Sequence, residues 1–262
     1  MFKKNKFILF ILLFLVLSIF FIAVYPVNNI EERSSNKIYV SEGRSFIEVN
    51  VDTFKINRTL ELRGTSVDIN YNNKTNYLYG AVGAVNKLHI IEPDSFKINK
   101  TFKNHTNNVQ SVQIDSNKNV MYTTSTDETI RKINLTNLNQ EDIFTKYSNP
   151  VMDSTLSNNK EILYTAGFDN YIHKINTSTF ESEGVIRGFP ESMQTVIINR
   201  KNNVIYYGGD KGGLYKLKPD DFEKYNTYKE LPTYKYTNIE YNNYTHEIND
   251  TKINNEENGF VQ

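Results

Sequence analysis

The sequence lacks cysteine and tryptophan entirely, and its charges cancel. A chain without cysteine has no disulfide scaffold, no thiolate metal site, no cysteine nucleophile and no cysteine-linked lipid anchor. Lys plus Arg and Asp plus Glu each number 30. Because a nucleic-acid-binding domain needs a basic patch or stripe, this balance argues against a nucleic-acid partner. The aromatic residues, 13% of the chain, are Tyr and Phe, which favour β-strands.

Long hydrophobic runs are also scarce, with one exception near the N-terminus. Residues 7–24 form an eighteen-residue run that Ser18 alone interrupts. At about 1.5 Å per residue such a helix spans roughly 27 Å, close to the hydrocarbon core of a bilayer. We favour an uncleaved signal-anchor over a cleaved signal peptide, which has a shorter core and small residues before its cleavage site. The basic residues 1–6 then lie in the cytoplasm, and the domain after the linker 25–36 lies outside it.

Two sets of residues recur with a nearly constant spacing along the rest of the chain. Short apolar strands end in a tyrosine at intervals of 40, 43, 42 and 42 residues, at Tyr39, Tyr79, Tyr122, Tyr164 and Tyr206. A second set recurs every 42 residues and consists of Phe54, Phe96, Leu138, Phe180 and Phe222. Self-similarity at a fixed period indicates a repeat architecture. We therefore expect these residues to form the structural frame of each repeat.

Each repeat alternates short apolar segments with polar turns, the pattern of antiparallel strands. Four strands per roughly 42 residues is the size of a propeller blade. The sequence therefore predicts an all-β propeller of about five four-stranded blades over residues 37–249, followed by a disordered tail at 250–262. The first unit begins at its second strand. Residues 237–243 resemble 67–73 and could supply the missing strand.

The stretch from Lys103 to Leu135 resembles a WD40 repeat nearly end to end. His105 stands where that family places the His of its Gly-His dipeptide, and Asp127 stands at its turn aspartate. The family's Trp-Asp pair falls on Ile133 and Asn134, so both signature residues are missing. No other repeat keeps the His, so surface repeats of the YVTN type are an alternative resemblance.

The WD40 resemblance implies a structural hydrogen bond between His105 and Asp127, with Thr124 or Ser125 as a third member. A catalytic role for His105 is not expected. In the absence of tryptophan, the recurring Tyr and Phe residues must hold the blades together.

Chemistry-bearing motifs are absent from the sequence. It contains no G-x-S-x-G, H-E-x-x-H, Walker A or G-x-G-x-x-G pattern. The glycine-rich segment 208–213 lies between two predicted strands and is interpreted as a β-turn, because a phosphate loop would be followed by a helix. Equivalent strand positions carry a mixture of residues that is unlike a metal ring, namely His89, Arg131, His173 and Tyr215. We therefore expect no catalytic residue, no metal site and no cofactor.

Sequons for N-glycosylation matter only if the domain lies outside the cytoplasm. The candidate sites are Asn57, Asn73, Asn99, Asn134, Asn176 and Asn243. Two further sequons lie at Asn104 and Asn249, and we expect Asn104 to be blocked by packing of its loop.

These observations lead to one functional expectation and two alternatives. The expectation is a membrane-anchored propeller outside the cytoplasm, a binding or adhesion scaffold for another protein or cell-surface component, because function lies in loops on a rigid framework. The first alternative is a propeller enzyme of the quinoprotein or lyase type. The second is an intracellular WD40 scaffold.

Overall fold

The computed structural model of the chain describes residues 36–187, 189–220, 222, 241–242 and 247–248. Its regular elements in this part are antiparallel β-strands, as the sequence predicts. The apolar run 7–24 and the tail 250–262 lie outside the described residues. Within those residues, no helix is both long and apolar enough to cross a membrane.

The strands form five main sheets in chain order. Sheet 1 contains β1 (Lys37–Glu42), β2 (Ser45–Asn50) and β3 (Ile56–Glu61). Sheet 2 contains β4 (Ser66–Asn72), β5 (Tyr77–Val82), β6 (Lys87–Glu92) and β7 (Lys97–Phe102). Sheet 3 contains β8 (Val109–Asp115), β9 (Val120–Ser125), β10 (Ile130–Asn134) and β11 (Gln140–Phe144). Sheet 4 contains β12 (Val151–Leu156), β13 (Ile162–Gly167), β14 (Ile172–Asn176) and β15 (Ser182–Ile186). Sheet 5 contains β16 (Met193–Asn199), β17 (Val204–Gly209) and β18 (Leu214–Leu217).

Sheets 2, 3 and 4 have the predicted four strands, whereas the described parts of sheets 1 and 5 have three. Of the segment expected to complete sheet 1, the structure describes only β19 (Tyr241–Asn242). This strand pairs with β20 (Glu247–Ile248) in a separate two-stranded sheet. Completion of sheet 1 by the tail stays a prediction.

The chain divides into two compact units. Of the described residues, 36–38 and 48–57 belong to the first unit, and 39–47 and those from 58 onward belong to the second. In the first unit, the turn after β2 is capped by Asn50, whose side-chain oxygen accepts the N–H groups of Asp52 and Thr53 at 3.0 and 2.9 Å. Asx capping of this kind suits a tight turn. The turn leaves Phe54 79% exposed.

In the second unit, a large apolar residue that follows the third strand of each of sheets 2 to 5 packs towards the tyrosine of the preceding sheet. The ring centroids of Phe180 and Tyr122 lie 5.9 Å apart. Two further ring pairs repeat this arrangement, Phe96 with Tyr39 and Phe222 with Tyr164. Leu138 packs against the core cluster that contains Tyr79. For Tyr206 the structure describes no covering residue at this spacing, and its side chain is only half-buried.

Three of these residues, Phe96, Leu138 and Phe180, have a left-handed backbone conformation. The φ angles of Phe96, Leu138 and Phe180 are 53°, 60° and 56°. In each turn the backbone N–H of the covering residue donates to the carbonyl four residues earlier, at 2.8, 3.0 and 2.9 Å. Because positive φ is unfavourable for a bulky side chain, packing of that side chain has to compensate.

The first strands of sheets 2 to 5 each contain a β-bulge at the same point of the repeat. A bulge adds one residue and redirects the side chains that follow it. The residues directly after the bulges are Asp68, Ser111, Asp153 and Thr195. Because consecutive first strands contact each other, these side chains reach the neighbouring sheet.

Candidate functional site

The candidate site is one end of sheets 2 to 5, which we call the loop surface. It consists of the loops 62–65, 83–86, 103–108, 126–129, 145–150, 168–171, 187–192 and 210–213, with residue 188 not described. Alternate connections of antiparallel strands lie at the same end of a sheet. Hydrogen bonds join neighbouring loops, as from the N–H of Phe168 to the carbonyl of Pro150 at 2.9 Å.

His105 lies at the centre of a buried hydrogen-bond chain in sheet 3. Its Nδ1 is 2.8 Å from Oδ2 of Asp127, and its Nε2 is 2.8 Å from the hydroxyl of Thr123. The third member is therefore Thr123, whereas the sequence suggested Thr124 or Ser125. Successive side chains of a strand point to opposite faces, so Thr124 cannot reach the same histidine.

The protonation states of His105 and Asp127 follow from their burial and hydrogen bonds. Burial lowers the pKa of His105 despite the opposing effect of Asp127, so the imidazole is neutral at pH 7. Burial on its own would raise the pKa of Asp127, but hydrogen bonds from His105 and Thr129 outweigh it and hold this pKa well below its usual range. The neutral ring thus donates from Nδ1 to the carboxylate and accepts the hydroxyl of Thr123 at Nε2. Both ring nitrogens are occupied, as a structural role requires.

One repeat later, in sheet 4, different side chains fill the same positions. Tyr147 occupies the position of His105, and its hydroxyl hydrogen bonds to Thr165, the equivalent of Thr123. Asp169 occupies the position of Asp127 and accepts a hydrogen bond from Nε2 of His173 at 2.9 Å. Sequence reasoning missed Tyr147, although adding one period to the position of His105 identifies it.

In sheet 5 the buried acid comes from a different loop. Glu191 accepts the hydroxyl of Tyr215 at 2.7 Å and also the backbone N–H of Lys211. Burial, reinforced by Glu191, raises the pKa of Tyr215, so this hydroxyl stays protonated and donates. The glycine-rich segment 208–213 is the turn around this carboxylate, and a Cβ at Gly213 would collide with it. No sequence pattern singled out Glu191.

The third strands repeat a polar position at His89, Arg131, His173 and Tyr215. His89 also has a partner within the fold, since its Nδ1 lies 2.9 Å from the hydroxyl of Thr101. Across the described part of the chain, no three His, Cys, Asp or Glu side chains are grouped to hold a metal ion.

The loop surface presents more positive than negative charge to solvent. Its described loops contain five basic residues, all exposed, which are Arg63, Lys103, Lys146, Arg187 and Lys211. They also contain five acidic residues, but only Glu128 and Asp210 are exposed. The side chains of Asp127 and Asp169 are each 3% exposed, and Glu191 is 5% exposed.

A second polar arrangement joins the first strands of neighbouring sheets. Oδ2 of Asp68 accepts the N–H of Val112 at 2.8 Å, and Oδ2 of Asp153 accepts the N–H of Val196 at 2.9 Å. Burial raises the pKa of Asp68 to about 6, with a further contribution from Asp153. Burial also raises the pKa of Asp153. These carboxyl groups fasten one sheet to the next.

Several sequon asparagines have structural partners. The side-chain amides of Asn134 and Asn176 donate to Glu141 and Glu183 at 2.9 and 2.7 Å. Those of Asn57 and Asn99 donate to Glu48 and Tyr77 at 3.2 and 3.1 Å. The side chains of Asn73 and Asn104 are exposed. Asn243 and Asn249 lie outside the described residues, and glycosylation of any of these sites stays a prediction.

Comparison with solved structures shows the fold. The WD40 beta propeller domain of Doa1 superposes with a TM-score of 0.63 at 14% sequence identity, covering 71% of this chain. The match spans 62% of the Doa1 chain, so less than two thirds of that chain has a counterpart here. No protein-family model and no curated protein sequence matches the chain. The chain therefore has the fold of a WD40 β-propeller.

Proposed function

We propose that this chain is a binding scaffold without catalytic activity, which holds another protein or a cell-surface component on its loop surface. The observation that supports this function is the state of the ionisable groups in the loops. His105 uses both ring nitrogens, and Glu191 uses both carboxylate oxygens, in contacts within the fold. Groups held in this way support loop shape, while the exposed side chains beside them are free for contact.

We propose further that the scaffold is anchored in a membrane and displayed outside the cytoplasm. The support is the uninterrupted apolarity of residues 7–24 and the basic residues that precede them. Protease treatment of intact cells tests this topology. We expect digestion of the propeller region; protection in intact cells with digestion after lysis would favour the intracellular scaffold.

Site-specific photo-cross-linking tests the binding function. The full-length chain, in a non-ionic detergent, carries a photo-reactive residue at Phe168 in the loop surface or, as a control, at Arg200 at the other end of sheet 5. We expect the Phe168 probe to capture a discrete protein from extracts of the source cells and the Arg200 probe to capture none. Equal or no capture from both positions would contradict the proposed function.

A further inference from the structure

Four consecutive loops of the loop surface form a rigid patch. They are 145–150, 168–171, 187–192 and 210–213. We call five of their side chains the Phe168 patch: the exposed Lys146, Phe168, Arg187 and Lys211, and the half-buried Tyr171. The N–H of Phe168 donates to the carbonyl of Pro150 at 2.9 Å, and the N–H of Asp210 donates to the carbonyl of Ser192 at 3.0 Å. The hydroxyl of Ser192 also donates to the side-chain oxygen of Asn170 at 3.1 Å. A patch held in this way loses little entropy on binding.

Two acidic side chains of these loops are withdrawn from the surface. Asp169 is bound to His173, and Glu191 is bound to Tyr215 and to the backbone of Lys211. The exposed charges that remain are three basic side chains and the single acid Asp210. A surface of this composition complements a negatively charged partner.

The patch also contains aromatic groups. The ring of Phe168 is 38% exposed and so offers an apolar contact. The guanidinium of Arg187 lies over the ring of Tyr171, 5.1 Å from its centroid. This stacking holds the guanidinium in place while its N–H edge remains available to pair with a carboxylate.

We infer that the Phe168 patch binds an acidic peptide segment of a partner protein, with an apolar side chain of that segment packed on Phe168. The inference rests on the proposed scaffold function and specifies the chemistry of its partner. Lys146, Arg187 and Lys211 pair with the carboxylates of the segment. Phe168 supplies the contact that distinguishes an apolar-containing peptide from a simple polyanion.

The test measures binding of fluorescein-labelled peptides to the full-length chain in detergent by anisotropy. One peptide alternates Glu and Ser around a central Phe, a second replaces Glu by Gln, and a third replaces the Phe by Ser. We expect the first to bind about tenfold or more tightly than the second, because charge pairing is lost, and to weaken as salt is raised. The third is expected to bind several-fold more weakly than the first.

A triple charge-reversal variant, the Phe168→Ala variant and a control variant test whether the peptide binds at the Phe168 patch. We expect Lys146→Glu, Arg187→Glu and Lys211→Glu together to abolish binding of the first peptide, and Phe168→Ala to weaken it several-fold. The matched control reverses three exposed basic residues outside the loop surface, Lys97, Lys100 and Arg200, and is expected to leave the affinity unchanged. Circular dichroism confirms that each variant is folded. A triple Gln variant of the patch replaces the Glu variant if the latter does not fold, with the same expected direction.

Three results would overturn the inference: no binding of the acidic peptide, equal loss in the control variant, or equally tight binding of poly(U) RNA that Phe168→Ala does not affect. The last result would indicate a non-specific anion surface. If the wild-type chain captures a protein partner by cross-linking but ignores the acidic peptide, this inference fails and the scaffold function stands. If it captures no partner at all, the scaffold function fails.

Discussion

The ring of Phe180 stacks on the ring of Tyr122 across the boundary between two sheets, with centroids 5.9 Å apart and planes inclined by 28°. The two residues are 58 positions apart in the chain, so the contact is a tertiary one. Equivalent ring pairs join sheet 1 to sheet 2 and sheet 4 to sheet 5 within the second unit, and Leu138 packs against the cluster that contains Tyr79. In a fold without tryptophan, these pairs provide large apolar area between sheets.

Replacement of Phe180 by Ala is expected to reduce the free energy of unfolding by about 3–5 kcal/mol, because it empties a buried aromatic site. The matched control is Phe54→Ala at the same repeat position, where the ring is 79% exposed. The control is expected to change stability by no more than about 0.5 kcal/mol. Urea unfolding of the full-length chain followed by circular dichroism measures both. Equal effects of the two substitutions would contradict the pairing model.

Two adjacent threonines of β9 should respond differently to removal of their hydroxyl. Thr123→Val leaves Nε2 of His105 without a partner and is expected to cost about 1–2 kcal/mol. The hydroxyl of Thr124 is buried without a hydrogen-bond partner in the described structure. Thr124→Val is therefore expected to be neutral or stabilising. Urea unfolding of the two variants tests the assignment, and a reversed order would refute it.

His105 should make stability depend on pH on the acid side of neutrality. Burial lowers the pKa of His105 in the folded chain, so near its ordinary pKa of about 6.5 the unfolded chain binds the proton first. Stability then falls as pH drops below that value. In His105→Phe this component of the slope is expected to disappear, together with about 1–3 kcal/mol at pH 7 from the loss of partners for Asp127 and Thr123. Urea titrations at pH 5, 6 and 7 measure the slope, and an unchanged slope would count against it.

Asp68 should contribute a slope of the opposite sign. Its pKa is raised to about 6 in the folded chain, so the folded state holds the proton that the unfolded state has released. The resulting stability is complete below the ordinary pKa of about 3.9 and is lost as pH rises through 6. Asp68→Asn is expected to remove this loss and to raise stability at pH 7 by on the order of 2 kcal/mol. A variant with the wild-type slope between pH 4 and pH 7 would rule out this assignment.

Gly80 is expected to resist substitution, whereas nearby Gly83 should tolerate it. A Cβ at Gly80 would lie only 2.4 Å from two carbons of the Phe46 ring, which is fully buried. Gly80→Ala should therefore cost about 1–3 kcal/mol. A Cβ at Gly83 would meet Val67 at an ordinary contact distance of 3.4 Å. Thermal unfolding of both variants provides the comparison, and a neutral Gly80→Ala would show that the ring shifts.

The sequence predicted the all-β architecture because its repeat leaves a periodic trace of large residues. Tyr79, Tyr122 and Tyr164 are buried where the period placed them. Four members of the frame are less buried: Tyr39, Leu138 and Tyr206 are half-buried, and Phe54 is exposed. For Phe54 and Tyr206 the described residues include no neighbouring ring at the repeat spacing. Burial depends on an adjacent sheet, which a single repeat does not reveal.

The loop surface was less accessible from sequence, since its groups change type from repeat to repeat. His105 was recognised because it matches a family signature. Tyr147 and Glu191 perform comparable structural tasks with different chemistry, and Glu191 does so from a shifted position. The choice of Thr123 over Thr124 depends on which face of β9 lies towards His105, a property of the folded sheet. The positive charge of the loop surface arises because the side chains of three of its five acidic residues are buried. Their burial depends on the tertiary structure and cannot be seen in the sequence.

The pairing of Phe180 with Tyr122 gives the repeat array a direction, because each unit carries one large apolar residue that packs on the preceding unit and one tyrosine that the next unit packs on. An in-frame duplication of one whole 42-residue unit therefore supplies both residues that a new boundary between units needs. A copy of residues 138–179 inserted before Phe180 would offer the new boundary the same complementary surfaces on either side. Gene duplication could thus lengthen the array without compensating substitutions, whereas an insertion of half a unit would leave two joints unmatched.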